Sequence, residues 1–208
     1  MSEEGFNSPV YSKNVIEFVT VANEYCKFME NTGKYTAPEF LGRIQKLLPL
    51  LYLKAALLPE ITEEPEDMLE KFVSEMEYNQ VQQQVIRLLG GKDDYQEVYK
   101  PGMQFSEGAL TASISEDLAD IYQDLKDFIL LFRVGNEEVM ESGLWECRNN
   151  FTQFWGQKLV NCLRAVHNLI YSEADWDDLD DKIDEGPERN RQQPDWLNDR
   201  FAFQDDDE

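Results

Sequence analysis

The sequence has one histidine, His167, and three cysteines, Cys26, Cys147 and Cys162, which stand far apart with no CxxC pair among them. With a single histidine and no CxxC spacing, no Cys/His zinc set is expected. An odd cysteine count at this density also excludes a disulfide-built scaffold and points to a reducing cytoplasm. Basic residues are scarce, 19 against 42 acids, for a net charge of −23. Nucleic-acid affinity comes mostly from Lys and Arg neutralising phosphates, so direct nucleic-acid binding is not expected, and anionic membrane surfaces are disfavoured for the same reason. Long apolar runs are missing. The most apolar stretch, "LLPLLYLKAALLP" at residues 47–59, is too short for a span and carries Lys54. The opening "MSEEGFNSPVYSK" is acidic and polar and does not read as a signal peptide. GxGxxG, GxxxxGK[ST] and HExxH are all absent.

The chain does have apolar residues at helical spacing. Apolar residues make up 42% of its 208 positions. In residues 14–31, Val15, Phe18, Val19, Ala22, Tyr25, Cys26 and Met29 recur at three-and-four spacing, and Gly33 closes the helix. A second helix is predicted over 37–58, with Pro38 in its first turn. Its later half is apolar nearly all round, which predicts a central place in the bundle, and Pro49 is expected to kink it. A third is predicted from Glu66 to Leu89, with Leu69, Phe72, Val73, Met76, Val81, Val85, Leu88 and Leu89 as its apolar set. Residues 91–114 lack a clean period and read as a loop holding Tyr95, Tyr99 and Pro101. Ser115 reads as the N-cap of a fourth helix running to Val134, and a fifth is predicted from Glu137 to Ser172, bent or broken near "ESG" at residues 141–143.

This spacing predicts an all-α bundle of five or more helices over residues 1–172, followed by a mostly irregular acidic tail over 173–208. The tail holds 15 acids against 4 bases and has little periodicity. Its apolar anchors are two Asp–Trp pairs, at Trp176 and Trp196, and Phe201 and Phe203.

Candidate chemistry gathers on two helices. On the fourth, Leu118, Ile121, Leu125, Ile129 and Phe132 share a face. Glu116, Asp120, Asp124 and Asp127 lie beside it, with Asp117 at the boundary. Such a carboxylate row is either a solvated acidic face or a ledge for a cation or basic group. On the fifth, Trp145, Thr152, Trp155, Leu159, Cys162, Leu163, Val166 and Ile170 share a face with Arg148 near its middle. A buried guanidinium needs carboxylates, so Arg148 is expected to pair with Asp117, Asp120 or Asp124. His167 falls at the edge of that face and Arg164 further toward solvent. Gly156 is expected to admit a close neighbour, another helix or a ligand. The residue three before His167 is Arg164, so the Glu-x-x-His pattern of di-iron bundles is absent. The candidate cluster is therefore Asp117, Asp120, Tyr122, Asp124, Arg148, Arg164 and His167, with Tyr95 and Tyr99 as loop contributors. No metal site, cofactor or catalytic set is assigned.

Three segments, "LLGGKDDYQEVYKP", "SISEDLADIYQDLKDFILLF" and "WECRNNFTQFWGQKLVNCLRAVHNL", together resemble a bacterial family, domain of unknown function fifty sixty-three. The resembling positions are Tyr95, Pro101, Asp117 to Lys126, Trp155, Gly156, Leu163, Arg164, Ala165 and His167, and the likeness spans roughly residues 10–172. It implies a helical domain of the bacterial cytoplasm and no activity. Phe154 and Lys158 flank Trp155–Gly156 here, so the resemblance supports no metal role. The function class favoured by the charge and the missing catalytic motifs is a non-enzymatic interaction or regulatory module binding a basic partner. The alternative is a ligand-binding, metal-binding or hydrolytic site built from the Asp-rich helix with Arg148 and His167.

Overall fold

The computed structural model describes residues 8–61, 64–65, 68–97 and 111–172. Tyr99 and the acidic tail, with Trp176, Trp196, Phe201 and Phe203, lie outside them. The described residues form the all-α bundle expected: α1 (Lys13–Glu30), α2 (Ala37–Ala56), α3 (Glu75–Leu89), α4 (Ile114–Val134), α5 (Glu137–Asn150) and α6 (Gly156–Tyr171). Alternating caps and breakers set most of these limits. Thr36 and Glu39 form a capping box at the start of α2, with Pro38 in the first turn, and Gly135 at φ 76° ends α4.

The centre belongs to α4, which packs against α1, α3, α5 and α6. Leu118, Ile121, Leu125, Phe128 and Ile129 on it are buried. The expectation that the later half of α2 is central is therefore corrected. α2 packs on α1 and α6 along one side only, and Leu50, Leu53 and Leu57 on the other are 42%, 52% and 46% exposed. Pro49 is on that exposed side, and the helix continues through it.

Four local readings change for identifiable reasons. The third helix starts at Glu75, not Glu66. The buried carboxylate of Asp127 accepts the backbone N–H groups of Phe72 and Val73 at 2.8 and 2.9 Å, which holds that stretch outside the helix. A Ser74–Glu77 capping box then opens α3, and Met76 faces solvent. The stretch read as loop contains a short antiparallel ladder, β1 (Asp94–Gln96) on β2 (Thr111–Ser113), with Tyr95 opposite Ala112. The cap of α4 is Ser113. Ser115 lies within the first turn, where the side chain of Asp93 takes both its N–H (2.8 Å) and its hydroxyl (2.6 Å).

The fourth change concerns the long final helix. It is interrupted at Phe151–Trp155 by a π-helical turn, not near residues 141–143. A π turn holds an extra residue, and one residue is worth about 100° of helical phase. The buried set of α5 is consequently Met140, Gly143, Leu144 and Cys147, one position off the predicted face. Two carbonyls just before the wider turn, which share the Phe151 N–H, also take side-chain donors. The Trp155 indole donates to the Cys147 carbonyl (3.3 Å) and the Thr152 hydroxyl to that of Arg148 (2.7 Å).

Gly156 exists for this turn rather than for a neighbouring helix or ligand. A Cβ there would sit 2.4 Å from the Phe151 carbonyl oxygen and 2.9 Å from its ring, whereas one on Gly42 in α2 meets nothing within 4 Å. Gly156→Ala is expected to lower unfolding free energy by about 1–3 kcal/mol through overpacking. Gly42→Ala is expected to raise it by about 0.5–1 kcal/mol by removing a helix glycine. Urea denaturation of the two variants checks the pair.

Candidate functional site

Polar side chains from four elements converge beside the N-terminal half of α4. Asp117 and Asp120, three apart on α4, project from one side of it, and Asp117 is 4% exposed. The Lys158 ammonium of α6 lies 2.5 Å from Asp120 and 3.5 Å from Asp117. The Tyr78 hydroxyl of α3 donates to the other Asp120 oxygen at 2.7 Å. Tyr95, presented by β1, donates its hydroxyl to Asp117 in a short contact. Two carboxylates, one ammonium and two phenols thus form one network linking α3, β1, α4 and α6.

Burial sets its electrostatics. Desolvation pushes Asp117 up to about 7 from 3.8, against the pull of Lys158 and the Tyr95 hydrogen bond, with Asp120 and Glu116 adding to the rise. Burial works to lower the Lys158 ammonium, but Asp120 and Asp117 outweigh it and hold it above its usual value. Burial, then the adjacent carboxylates, push Tyr78 and Tyr95 upward, so both phenols remain hydrogen-bond donors. Asp117 is the carboxyl of this network that burial shifts toward neutrality, while Asp120 makes the shorter contact with Lys158.

Of the residues named from sequence, Asp117, Asp120 and Tyr95 meet. The other described candidates do not join them, and Tyr99 lies outside the described residues. Tyr122 donates to Glu30 at 3.2 Å on the α1 side, and Asp124 accepts from the Asn150 amide at 2.9 Å. Arg148 was expected to pair with an α4 aspartate. It pairs instead with the exposed Glu60, at 3.8 Å, because the π turn rotates Cys147 inward in its place. Arg164 donates to the Gln96 carbonyl at 2.6 Å, tying α6 to β1. His167 is exposed and rests on the Tyr171 ring, 4.6 Å between centroids.

Tyr78 and Lys158 were not anticipated. Lys158 had a signal, since it stands three after Trp155 and four before Cys162, on the apolar face of its own helix. Tyr78 had none, because its partner lies 42 residues away. Among the described residues no three His, Cys, Asp or Glu side chains are grouped to hold a metal ion. None of their helices is long and apolar enough to cross a membrane.

The fold and this network define a helical-bundle protein with a buried carboxylate–lysine–tyrosine cluster. The chain belongs to the family described as Domain of unknown function (DUF5063), matched over residues 9–172. It is similar to protein BF1032 from Bacteroides fragilis, known from a crystal structure solved in a structural-genomics programme. The two are 42% identical with a TM-score of 0.71, over 80% of this chain and 98% of that one. No curated protein matches it.

The titration of Asp117 has a readable consequence. The unfolded chain releases this proton near pH 3.8, and the folded chain holds it to about 7. Between those values the folded state binds more protons, so the contribution of Asp117 to stability is full below about pH 4 and is lost as pH rises to about 7. Asp117→Asn is expected to remove that decline. Unfolding free energies measured from pH 4 to 8 should show a wild-type advantage shrinking with pH relative to the variant, and parallel curves would contradict it.

Proposed function

We propose that the chain is a non-enzymatic interaction module of the cytoplasm that binds a basic partner. The observation that carries this reading is the closure of the polar cluster. Asp120 is taken by Tyr78 and Lys158, and Asp117 by Tyr95 and Lys158, so the constellation spends its groups on joining four elements. A cluster of this kind positions a fold more readily than it binds a substrate. The net charge of −23 supplies long-range attraction for a basic surface. Three buried, unpaired cysteines suit a reducing compartment. Capture from the source cell with the tagged full chain is expected to bring down a partner richer in Lys and Arg than in Asp and Glu. That partner should be released as salt rises from about 0.1 to 1 M, and its recovery should fall when residues 174–208 are removed. Capture indifferent to both salt and truncation, or no partner at any salt, counts against it.

A second reading keeps part of the same cluster as a ligand site, without Arg148 and His167. A cleft of about 310 Å³ is bordered by Lys92, Asp94, Tyr95, Gln96, Arg164 and Asn168, two cations against one acid, and the Tyr95 wall bonds directly to the titratable Asp117. Two cations beside a carboxyl of shifted pKa suit a small carboxylate or phosphate. Such a ligand is expected to raise the melting temperature of the wild type and not of Arg164→Met. A panel of both anion classes that leaves the wild type unmoved ends this reading.

A further inference from the structure

In a chain where acids outnumber bases more than two to one, a groove on the α1–α2 side reverses the sign. It lies between the last turns of α1 and the first half of α2 and encloses about 480 Å³. Its cations are Lys27, Arg43 and Lys46, and its single acid, Glu24, is paired with Lys27 at 2.9 Å. Among the described residues Lys46 has no ion-pair partner, although 42 carboxylates are available in the sequence. The Arg43 guanidinium lies 4.9 Å from the Tyr35 ring centroid, and Tyr35 stacks on Phe28, which stacks on Phe40. Arg43 is thus held over a fixed aromatic base.

The groove does not end at these cations. Lys46, Leu50, Leu53 and Leu57 succeed one another at spacings of four, three and four, so they form one row on the exposed side of α2. All four are exposed, and the three leucines are the residues whose burial the sequence predicts and the fold does not provide. A contiguous apolar row on a water-facing helix, unlike leucines scattered singly, marks an interaction surface. A basic groove opening onto an apolar row has one complementary occupant: a segment acidic at one end and apolar along one side.

We propose that this groove and row bind an acidic, amphipathic peptide segment of a partner protein. Its carboxylates sit at Lys27, Arg43 and Lys46, and its apolar residues lie along Leu50, Leu53 and Leu57. The site does not rest on the interaction reading above, which concerns the overall negative charge and not this locally positive patch.

The test titrates the full-length chain with a fluorescein-labelled synthetic helical peptide, glutamates in its first turns and leucines along one face. Saturable binding is expected, with NMR shift changes at Phe28, Arg43, Lys46, Leu50 and Leu53. Arg43→Glu combined with Lys46→Glu should weaken it at least about tenfold. So should Leu53→Gln combined with Leu57→Gln. All four positions are exposed, and the circular dichroism melting curves of both variants should match the wild type. The same peptide with lysines for glutamates should not bind this groove. Failure of the acidic peptide to bind, equal binding by the charge-reversed variant, or shift changes mapping elsewhere overturns the proposal. A stable dimer by sedimentation that the leucine variants dissolve also overturns it, because the row would then belong to a second copy. Loss of the basic partner expected above would leave this result unaffected, so the two readings fail separately.

Discussion

Carrying carboxylates into the interior on α4 is the constraint on which the rest of the fold depends. Asp117 and Asp127 are both almost fully buried on the central helix, and Asp93 is buried at its start. A desolvated carboxylate costs several kcal/mol unless donors meet it. Each of the three is met by its own set of donors, and each meeting fixes a neighbouring segment. Asp127 takes two backbone N–H groups and so sets where α3 begins. Asp93 takes the N–H and hydroxyl of Ser115 and anchors the start of α4 to the turn before β1. Asp117 takes a phenol and shares an ammonium with Asp120, which positions β1 and α6. A row of acids that looks like a solvated face is in fact distributed. Its inward members organise loops, while Asp124, half-buried, bonds to Asn150.

Not every such contact carries equal weight. Lys158 and the two aspartates are partly desolvated and joined by two hydroxyl donors, so their removal would leave buried charge unpaired. The ion pairs at the periphery, such as Lys27–Glu24 and Arg148–Glu60, stand mostly in water, where screening and side-chain entropy leave them worth about 0–1 kcal/mol. The network at α4 is therefore what distinguishes this bundle from a generic one.

The helical architecture was legible because burial at period 3.6 writes itself into sequence. Phe18, Ala22, Tyr25, Cys26 and Met29 on α1 are buried where the spacing placed them. The site was legible only in half. Asp117 and Asp120 stood out as acids beside an apolar face, and Tyr95 as an aromatic in the preceding stretch. Their basic partner was misassigned to Arg148 because the break was expected at residues 141–143, before Arg148, and the added residue in the π turn after it exchanges which face of α5 looks inward. Nothing in periodicity marks such a turn in advance. Gly156 is its nearest trace, since it is the one residue whose missing Cβ the wider turn requires. Two capping errors have a common source: Asp93 and Asp127 act on backbone groups 22 and about 55 positions away, and a window along the chain does not see them.

The misplaced apolar half of α2 is a different kind of discrepancy. The segment is hydrophobic enough to read as a core helix, yet the centre is already occupied by α4, which carries the carboxylates and their donors. With α1 and α6 packed along one side, no other described helix packs comparably against α2, and Leu50, Leu53 and Leu57 remain partly exposed among the described residues. A sequence shaped only for the stability of this bundle has no reason to keep a leucine row facing water, because polar residues there cost the fold nothing. Lys46, at the head of the row, is equally uncalled for by the fold, since acids are abundant and none among the described residues is placed against it. Two departures from what folding requires, adjacent on one helix and complementary to one kind of segment, are accounted for together by binding and by neither alone.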